Sequence, residues 1–185
     1  MVKLNRSSVR LLIITGLPAT GKSTFARQVA ARYRLPLLAK DAIKETLLDD
    51  SSVADPLESR RLSDISFSML FAQLGQLAAT GVDAVLEGNF RAGRHEVPLR
   101  ALPDPDIAQI LCRVDETERL RRIGARAEDG TRHPGHGDLQ AARDASNDEF
   151  LDLPGERLLL DTGAAAEQSP QLFARLDQWW ADCVH

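Results

Sequence analysis

Short apolar runs recur along the chain, and longer amphipathic segments separate them. The runs are rich in leucine and β-branched residues, a composition typical of buried strands. They comprise Val9–Thr15, Leu35–Ala39, Val82–Leu86, Ile107–Val114 and Arg157–Leu160. We predict that each run forms a strand.

Helical patterns fill the intervals between these strands. Apolar residues recur at helical spacing from Lys22 to Tyr33, and again in a long segment that includes Ile65 and Leu77 and ends at Gly81. Strands that alternate with helices are typical of a mainly parallel sheet that is covered on both faces. The pattern therefore predicts a three-layer α/β sandwich around a five-stranded sheet.

Length and charge narrow the possible functions. The chain has 185 residues, of which 43% are hydrophobic, so we expect a single domain over residues 1–185. Its formal net charge of -4 disfavours a nucleic-acid partner, because proteins bind nucleic acids through basic surfaces of their own.

The cysteines and the apolar runs bear on location. Cys112 and Cys183 build no disulfide framework, which favours a reducing, cytoplasmic location. The apolar run Leu11–Ile14 is far too short for a membrane span, so no membrane association is expected.

The residues between the first strand and the first helix match G-x-x-x-x-G-K-[ST], the pattern of a phosphate-binding loop. The match comprises Gly16, Leu17, Pro18, Ala19, Thr20, Gly21, Lys22 and Ser23, and Thr24 follows it. In such a loop the backbone N–H groups bind phosphates, the lysine contacts the β and γ phosphates, and the serine ligates magnesium. We therefore predict ATP and Mg2+ as cofactors. The alternative is a glycine turn that only caps a helix.

Asp41 follows the second strand, at the edge where parallel sheets bind ligands. A carboxylate at this edge can accept the proton of an attacking hydroxyl during phosphoryl transfer. The chain has no N-K-x-D motif of a GTPase switch and is short for a transporter ATPase, which favours a kinase. Asp41 could also cap a helix from Ala42 to Leu48, and the two roles are compatible.

Three segments together resemble the small ATP-dependent kinases of the P-loop class. They are Thr15–Thr24, Lys40–Lys44 and Leu86–Phe90. The similar groups are chloramphenicol phosphotransferase, zeta toxin, polynucleotide 5′-hydroxyl kinase and other AAA-type ATP-binding kinases. The resemblance implies a P-loop NTPase fold of the nucleoside-kinase-like kind, with a helical lid.

The same resemblance assigns expected roles to individual residues. It implies that Asp41 is the catalytic base and that Lys44 lies at the acceptor, where polynucleotide kinases usually have arginine. It also implies that the loop with Thr162 and Gly163 lies beneath the adenine.

A candidate acceptor pocket follows the third strand. Its residues are Glu87, Asn89, Phe90 and Arg91. Carboxylate, amide and guanidinium groups can bind hydroxyl or amino groups, and the Phe90 ring can cover an apolar face of a small molecule. Two alternatives stay open: an ordinary turn with a solvated arginine, and a Glu87 that holds magnesium through water.

A segment rich in glycine and proline, at about residues 124–138, departs from the helical pattern. Such an insertion in a compact enzyme is more often a lid than a linker. Arg119, Arg122 and Arg126 lie on one helical face that leads into it. We predict that Arg126 and Arg132, which flank the proposed hinge, are catalytic and stabilise charge on the γ-phosphate. A solvated face that pairs with nearby glutamates is the alternative.

These features predict a kinase that transfers the γ-phosphoryl group of ATP to a hydroxyl of a small-molecule acceptor. One alternative acceptor is a nucleic-acid 5′-hydroxyl or a nucleotide sugar. Another alternative is an ATP-binding regulatory module without turnover. The sequence determines neither the acceptor nor the oligomeric state, because packing assembles both surfaces.

Overall fold

A five-stranded parallel sheet forms the middle layer of the structure. The computed structural model describes residues 8–49, 56–128, 148–163 and 165–182. The strands are β1 (Arg10–Thr15), β2 (Leu37–Ala39), β3 (Ala84–Glu87), β4 (Asp106–Arg113) and β5 (Glu156–Asp161). Their order is β2-β3-β1-β4-β5, and every neighbouring pair is parallel.

Helices connect the strands and cover the sheet. They are α1 (Lys22–Tyr33), α2 (Lys40–Asp49), α3 (Pro56–Ala79), α4 (Glu96–Arg100), α5 (Glu116–Glu128) and α6 (Ala165–Asp182). Within the described ranges, no helix combines the length and the apolar character that a membrane crossing requires.

The side chains of β1 supply both faces of the sheet, because successive residues of a strand point in opposite directions. Leu11 and Ile13 pack in one core with Leu70 and Leu74 of α3. The second core contains the alternate β1 residues together with residues of α1 and α6, namely Leu12, Ile14, Phe25, Val29, Leu172 and Leu176. This arrangement confirms the predicted three-layer sandwich.

Several boundaries differ from the sequence prediction for local reasons. The second strand begins at Leu37 and not at Leu35, because the Leu35 N–H donates to Ala30 O at the end of α1. Helix α2 begins at Lys40, two residues before the predicted start at Ala42. Helix α4 was not predicted from the sequence.

The predicted lid segment is described only in part. Gly124 does not interrupt the helix but lies inside α5, since helix-forming arginine and alanine neighbours compensate for one glycine. Residues 129–138 of the predicted lid lie outside the described residues.

A buried ion pair joins the start of β1 to the segment before β3. The Arg10 guanidinium donates to the Asp83 carboxylate at 2.8 and 3.0 Å. It also lies 3.4 Å from the Trp180 ring centroid and donates to Trp180 O, so it connects the sheet to α6. The Arg10 and Asp83 side chains are only 6% and 11% exposed.

We expect Asp83→Ala to lower the free energy of unfolding by about 3 kcal/mol, because the Arg10 charge would stay buried without its carboxylate. Urea unfolding measures this loss. Asp64→Ala is the matched control, because the Asp64–Arg94 pair is 61% and 52% exposed, and it should cost less than about 1 kcal/mol. Equal losses in the two variants would contradict a special role for the buried pair.

Candidate active site

The phosphate loop, Gly16–Thr24, leaves β1 and enters α1 through three residues with positive φ. These are Gly16 at 144°, Ala19 at 66° and Gly21 at 80°. A Cβ atom on Gly16 would lie 2.3 Å from Cys112 O of β4, so only glycine fits there. The strand next to β1 therefore determines how the loop begins.

The middle of the phosphate loop is held by contacts with its own backbone and with α5. The Thr20 hydroxyl donates to Leu17 O at 2.8 Å, which closes the turn through Pro18. Ala19 is 2% exposed and packs against Ile123 of α5. Because a non-glycine residue with positive φ is strained, this packing helps to keep the loop in its curved shape.

Lys22, Ser23 and Glu87 meet at the carboxyl edge of the sheet. The Ser23 hydroxyl donates to Glu87 Oε1 at 3.1 Å, and Lys22 Nζ lies 3.7 Å from the same oxygen. Lys22 and Glu87 are 4% and 2% exposed, so the ion pair lies in a weakly screened environment. Thr24 is the next residue of α1, and its side chain is exposed.

This geometry bears on the two interpretations of Glu87. The sequence analysis placed Glu87 in the acceptor pocket, with a magnesium role as the alternative. The carboxylate lies beside Ser23, the predicted metal ligand, and beside Lys22, the predicted phosphate-binding residue. These contacts are compatible with the magnesium role, which stays a prediction.

Asp41 lies in the first turn of α2, directly after β2. Helix α2 starts at Lys40, so Asp41 is inside the helix and does not precede it as a capping residue does. Its carboxylate is 20% exposed and accepts a hydrogen bond from Lys40 Nζ at 3.1 Å. The side chain thus keeps contact with solvent beside a buried cation.

Two buried lysines lie one turn apart between α2 and α3. Lys40 Nζ donates to Ser63 Oγ at 3.1 Å, and Lys44 Nζ donates to Ser59 Oγ at 2.7 Å. Lys40 and Lys44 are 4% and 3% exposed. Lys44 was predicted from the sequence as an acceptor-site residue, whereas Lys40 was not. Their spacing of four residues on one helix was the signal that could have identified the pair.

The turn after β3 passes close to Lys40. A Cβ atom on Gly88 would lie 3.2 Å from Lys40 Cβ, so a larger residue would push against the lysine stem. Asn89 is partly exposed, but its Oδ1 atom is buried and accepts no hydrogen bond from the described residues. A buried acceptor without a donor is uncommon in folded proteins, so this amide is a notable feature of the turn.

The predicted role of Phe90 at the acceptor does not agree with its position. Phe90 is 1% exposed and belongs to the core beneath α3, where its ring contacts Phe67, Phe71 and His95. The ring is covered because Phe67 and Phe71 of α3 pack over it, which a linear pattern does not show. Arg91 is partly exposed, and its backbone N–H donates to His95 Nδ1 at 2.8 Å.

Thr162 lies against the phosphate loop. A Cβ atom on Gly21 would lie 3.3 Å from Thr162 Cβ, so these two distant segments are in close contact. The Gly163 N–H donates to Asp161 Oδ1 at 2.8 Å, which closes the turn after β5. Among the lid arginines, Arg126 is a partly exposed residue near the end of α5, and Arg132 lies outside the described residues.

A family profile for the AAA domain matches residues 11–148, which is most of the chain. The chain belongs to the AAA domain family. A search of curated proteins found no match to this AAA domain protein.

Solved structures with a similar fold include kinases that align with nearly the whole of this chain. A candidate kinase from Chloroflexus aurantiacus is 29% identical, covers 92% of this chain and 98% of its own, and has a TM-score of 0.81. A sugar kinase from Janibacter is 17% identical, with coverages of 94% and 95% and a TM-score of 0.59. The APS kinase of Mycobacterium tuberculosis, solved with AMPPNP and APS, is 18% identical, with coverages of 92% and 98% and a TM-score of 0.52. These likenesses confirm the predicted P-loop kinase fold.

The imidazole of His95 makes stability depend on pH. Burial, and then the positive charges of Arg94 and Arg91, lower the pKa of His95 from 6.5 to about 4. The unfolded chain therefore binds a proton at His95 between these two values, while the folded chain does not. The folded protein keeps His95 neutral, so this residue costs no stability above pH 6.5. As the pH falls from 6.5 toward 4, the unfolded chain gains a proton at His95 and the free energy of unfolding decreases.

We expect the free energy of unfolding to fall less steeply with decreasing pH in His95→Gln than in the wild type, between pH 6.5 and about 4. Denaturant unfolding at several pH values in this window measures the two slopes. Parallel slopes would mean that the folded protein protonates His95 as easily as the unfolded chain does.

Proposed function

We propose that this protein is an ATP- and Mg2+-dependent kinase that transfers the γ-phosphoryl group to a hydroxyl of a small-molecule acceptor. The observation that carries the proposal is the meeting of Lys22, Ser23 and Glu87 beside the glycine loop. Asp41 lies at the same edge of the sheet, in the first turn of α2 directly after β2, the strand that pairs with β3.

The curvature of the phosphate loop supports the binding of a nucleoside triphosphate. A Cβ atom on Gly16 would clash with β4, and one on Gly21 would press tightly on Thr162, so glycine at both positions lets the backbone curve closely against its neighbours. The loop ends at the N-terminus of α1, where the helix dipole supplies positive partial charge. Lys22 adds a full positive charge, so the residues fit the phosphates of ATP.

The oxygen atoms of Ser23 and Glu87 fit a magnesium ion. Mg2+ prefers hard oxygen ligands and usually retains several waters beside one or two protein groups. The two side chains already meet at 3.1 Å, so both can reach one ion directly or through water. Bound magnesium would neutralise negative charge on the phosphates, while Glu87 would keep Lys22 oriented.

Asp41 is the proposed general base. Its carboxylate would accept the proton of the acceptor hydroxyl as the oxygen forms a bond to the γ-phosphorus. The bond between that phosphorus and the bridging oxygen breaks, and its electron pair leaves with ADP. Lys22 would stabilise the charge that develops on the phosphoryl oxygens.

The acceptor side is polar and lies next to Asp41. Asn89 is partly exposed and its amide can bind a hydroxyl, and Lys44 supplies a positive charge. The sugar and APS kinases among the similar structures support a small acceptor. The net charge of -4 favours a small molecule over a nucleic acid.

We expect purified protein with MgATP to release ADP faster when a suitable hydroxylated metabolite is present. Asp41→Asn should reduce this stimulation by at least about a hundredfold, because general bases contribute rate factors of that size. ATP affinity should stay unchanged in that variant, since Asp41 is assigned to the acceptor.

A panel of sugars, sugar acids, nucleosides and antibiotics serves as the acceptor screen, and Lys22→Ala provides the blank. A 5′-hydroxyl oligonucleotide in the same panel tests the nucleic-acid alternative. Full turnover in Asp41→Asn would remove Asp41 from the mechanism. Tight ATP binding without any stimulation would instead indicate a regulatory module.

We expect Glu87→Gln to require roughly tenfold more magnesium for nucleotide binding, because an amide oxygen holds the ion less strongly than a carboxylate does. Calorimetry with ATP over a series of magnesium concentrations measures the change. Glu58→Gln on α3 is the control and should leave the magnesium requirement unaltered. If the wild type, Glu87→Gln and Glu58→Gln all require the same magnesium concentration, the magnesium role of Glu87 is wrong.

A further inference from the structure

Arg122 connects α5 to the turn after β5. Its Nη1 donates to Thr162 Oγ1 at 3.2 Å, and its Nη2 donates to Thr162 O at 3.3 Å. Its Nε donates to Glu118 Oε1 at 2.8 Å, one turn earlier on the same helix. All three side-chain nitrogens are therefore engaged, and the guanidinium is aimed at one threonine.

Thr162 is also bound to β4. Its backbone N–H and its hydroxyl both donate to Arg113 O, at 2.7 and 3.1 Å. Because the hydroxyl proton is directed to Arg113, the oxygen is free to accept from Arg122. The threonine is thus held from two sides, by β4 and by α5.

Thr162 lies against the phosphate loop at Gly21. Both Thr162 Cβ and Thr162 Cγ2 lie 3.3 Å from the position that a Cβ atom on Gly21 would take. Gly21 has a φ of 80°, and its carbonyl accepts the N–H groups of Thr24 and Phe25 at the start of α1. A shift of Thr162 would remove the surface against which this turn packs.

We infer that Arg122 is a positioning residue for the phosphate loop. It holds Thr162 against Gly21, and the loop N–H groups then point at the phosphates before ATP arrives. This inference rests on the proposed nucleotide site. It assigns Arg122 an effect on the phosphates rather than on the base, because its nitrogens bind Thr162 and Glu118.

The neighbouring Arg121 provides a matched control. It pairs with the same carboxylate, Glu118, at 2.6 Å, but its side chain is 68% exposed, and within the described residues its hydrogen bonds go to Glu118 and not to Thr162. Arg121→Gln and Arg122→Gln each remove one ion pair with Glu118. Only Arg122→Gln removes the hydrogen bonds to Thr162.

Calorimetry with two probes, MgATP and magnesium tripolyphosphate, tests the inference, because the second probe has no base or sugar. We expect Arg122→Gln to weaken both by roughly tenfold, the effect of losing charge-assisted hydrogen bonds that shape a site. Arg121→Gln should bind both probes as the wild type does. Arg122→Lys should recover part of the loss, since one ammonium can replace one of the two contacts.

Thr162→Val supplies a second test, because it keeps the side-chain shape against Gly21 but removes the hydroxyl. We expect it to weaken tripolyphosphate binding by roughly threefold, and the double variant to bind no more weakly than Arg122→Gln alone. This variant retains the Arg122–Glu118 pair, so it remains informative if Arg122→Gln does not fold. Thermal unfolding monitored by circular dichroism checks the fold of each variant.

The outcomes separate this inference from the proposed function. A wild-type protein that binds neither probe would refute the proposed nucleotide site itself. A wild-type protein that binds both, with Arg122→Gln equal to Arg121→Gln, would refute only the positioning role. Loss of ATP binding with tripolyphosphate binding intact would also refute it, because Arg122 would then act on the nucleoside.

Discussion

The direct pairing of β3 with β1 is the constraint on which the candidate site depends. In this register Ile14 lies opposite Glu87, so the carboxylate emerges beside the first residues of the phosphate loop. On the other side of β3, Ala39 lies opposite the same Glu87, which brings the start of α2 to the same edge. One buried carboxylate therefore lies between the proposed nucleotide side, at the phosphate loop, and the proposed acceptor side, at the start of α2.

Charge is distributed unevenly across this edge. On the nucleotide side, Lys22 is paired with Glu87 in a buried environment where the attraction is only weakly screened. On the proposed acceptor side, Lys40 and Lys44 are buried against serine hydroxyls of α3, and Lys40 also donates to Asp41. Burial of charged groups is costly unless they are paired or hydrogen-bonded, and both lysines have such partners. Their positive charge would suit a polar ligand at the proposed acceptor side.

Close backbone approaches link the phosphate loop to the distant half of the chain. Gly16 lies against Cys112 of β4, and Gly21 lies against Thr162 after β5. Ala19 packs on Ile123 of α5, which also carries Arg122. The loop is consequently shaped by elements that follow it by about a hundred residues or more, and α5 contacts both the loop and the turn that supports it.

The sequence by itself determined the five strands, their alternation with helices and the position of the phosphate loop, because these follow from local periodicity and from a motif that its flanking elements confirm. It also selected Asp41 and Lys44, which follow one strand closely. It did not determine that Glu87 meets Ser23, that Phe90 turns into the core, or that Lys40 is buried. Each of these depends on which strands are neighbours and on how α3 covers them. The contact of Arg122 with Thr162 joins residues that are 40 positions apart, so only the tertiary structure decided it.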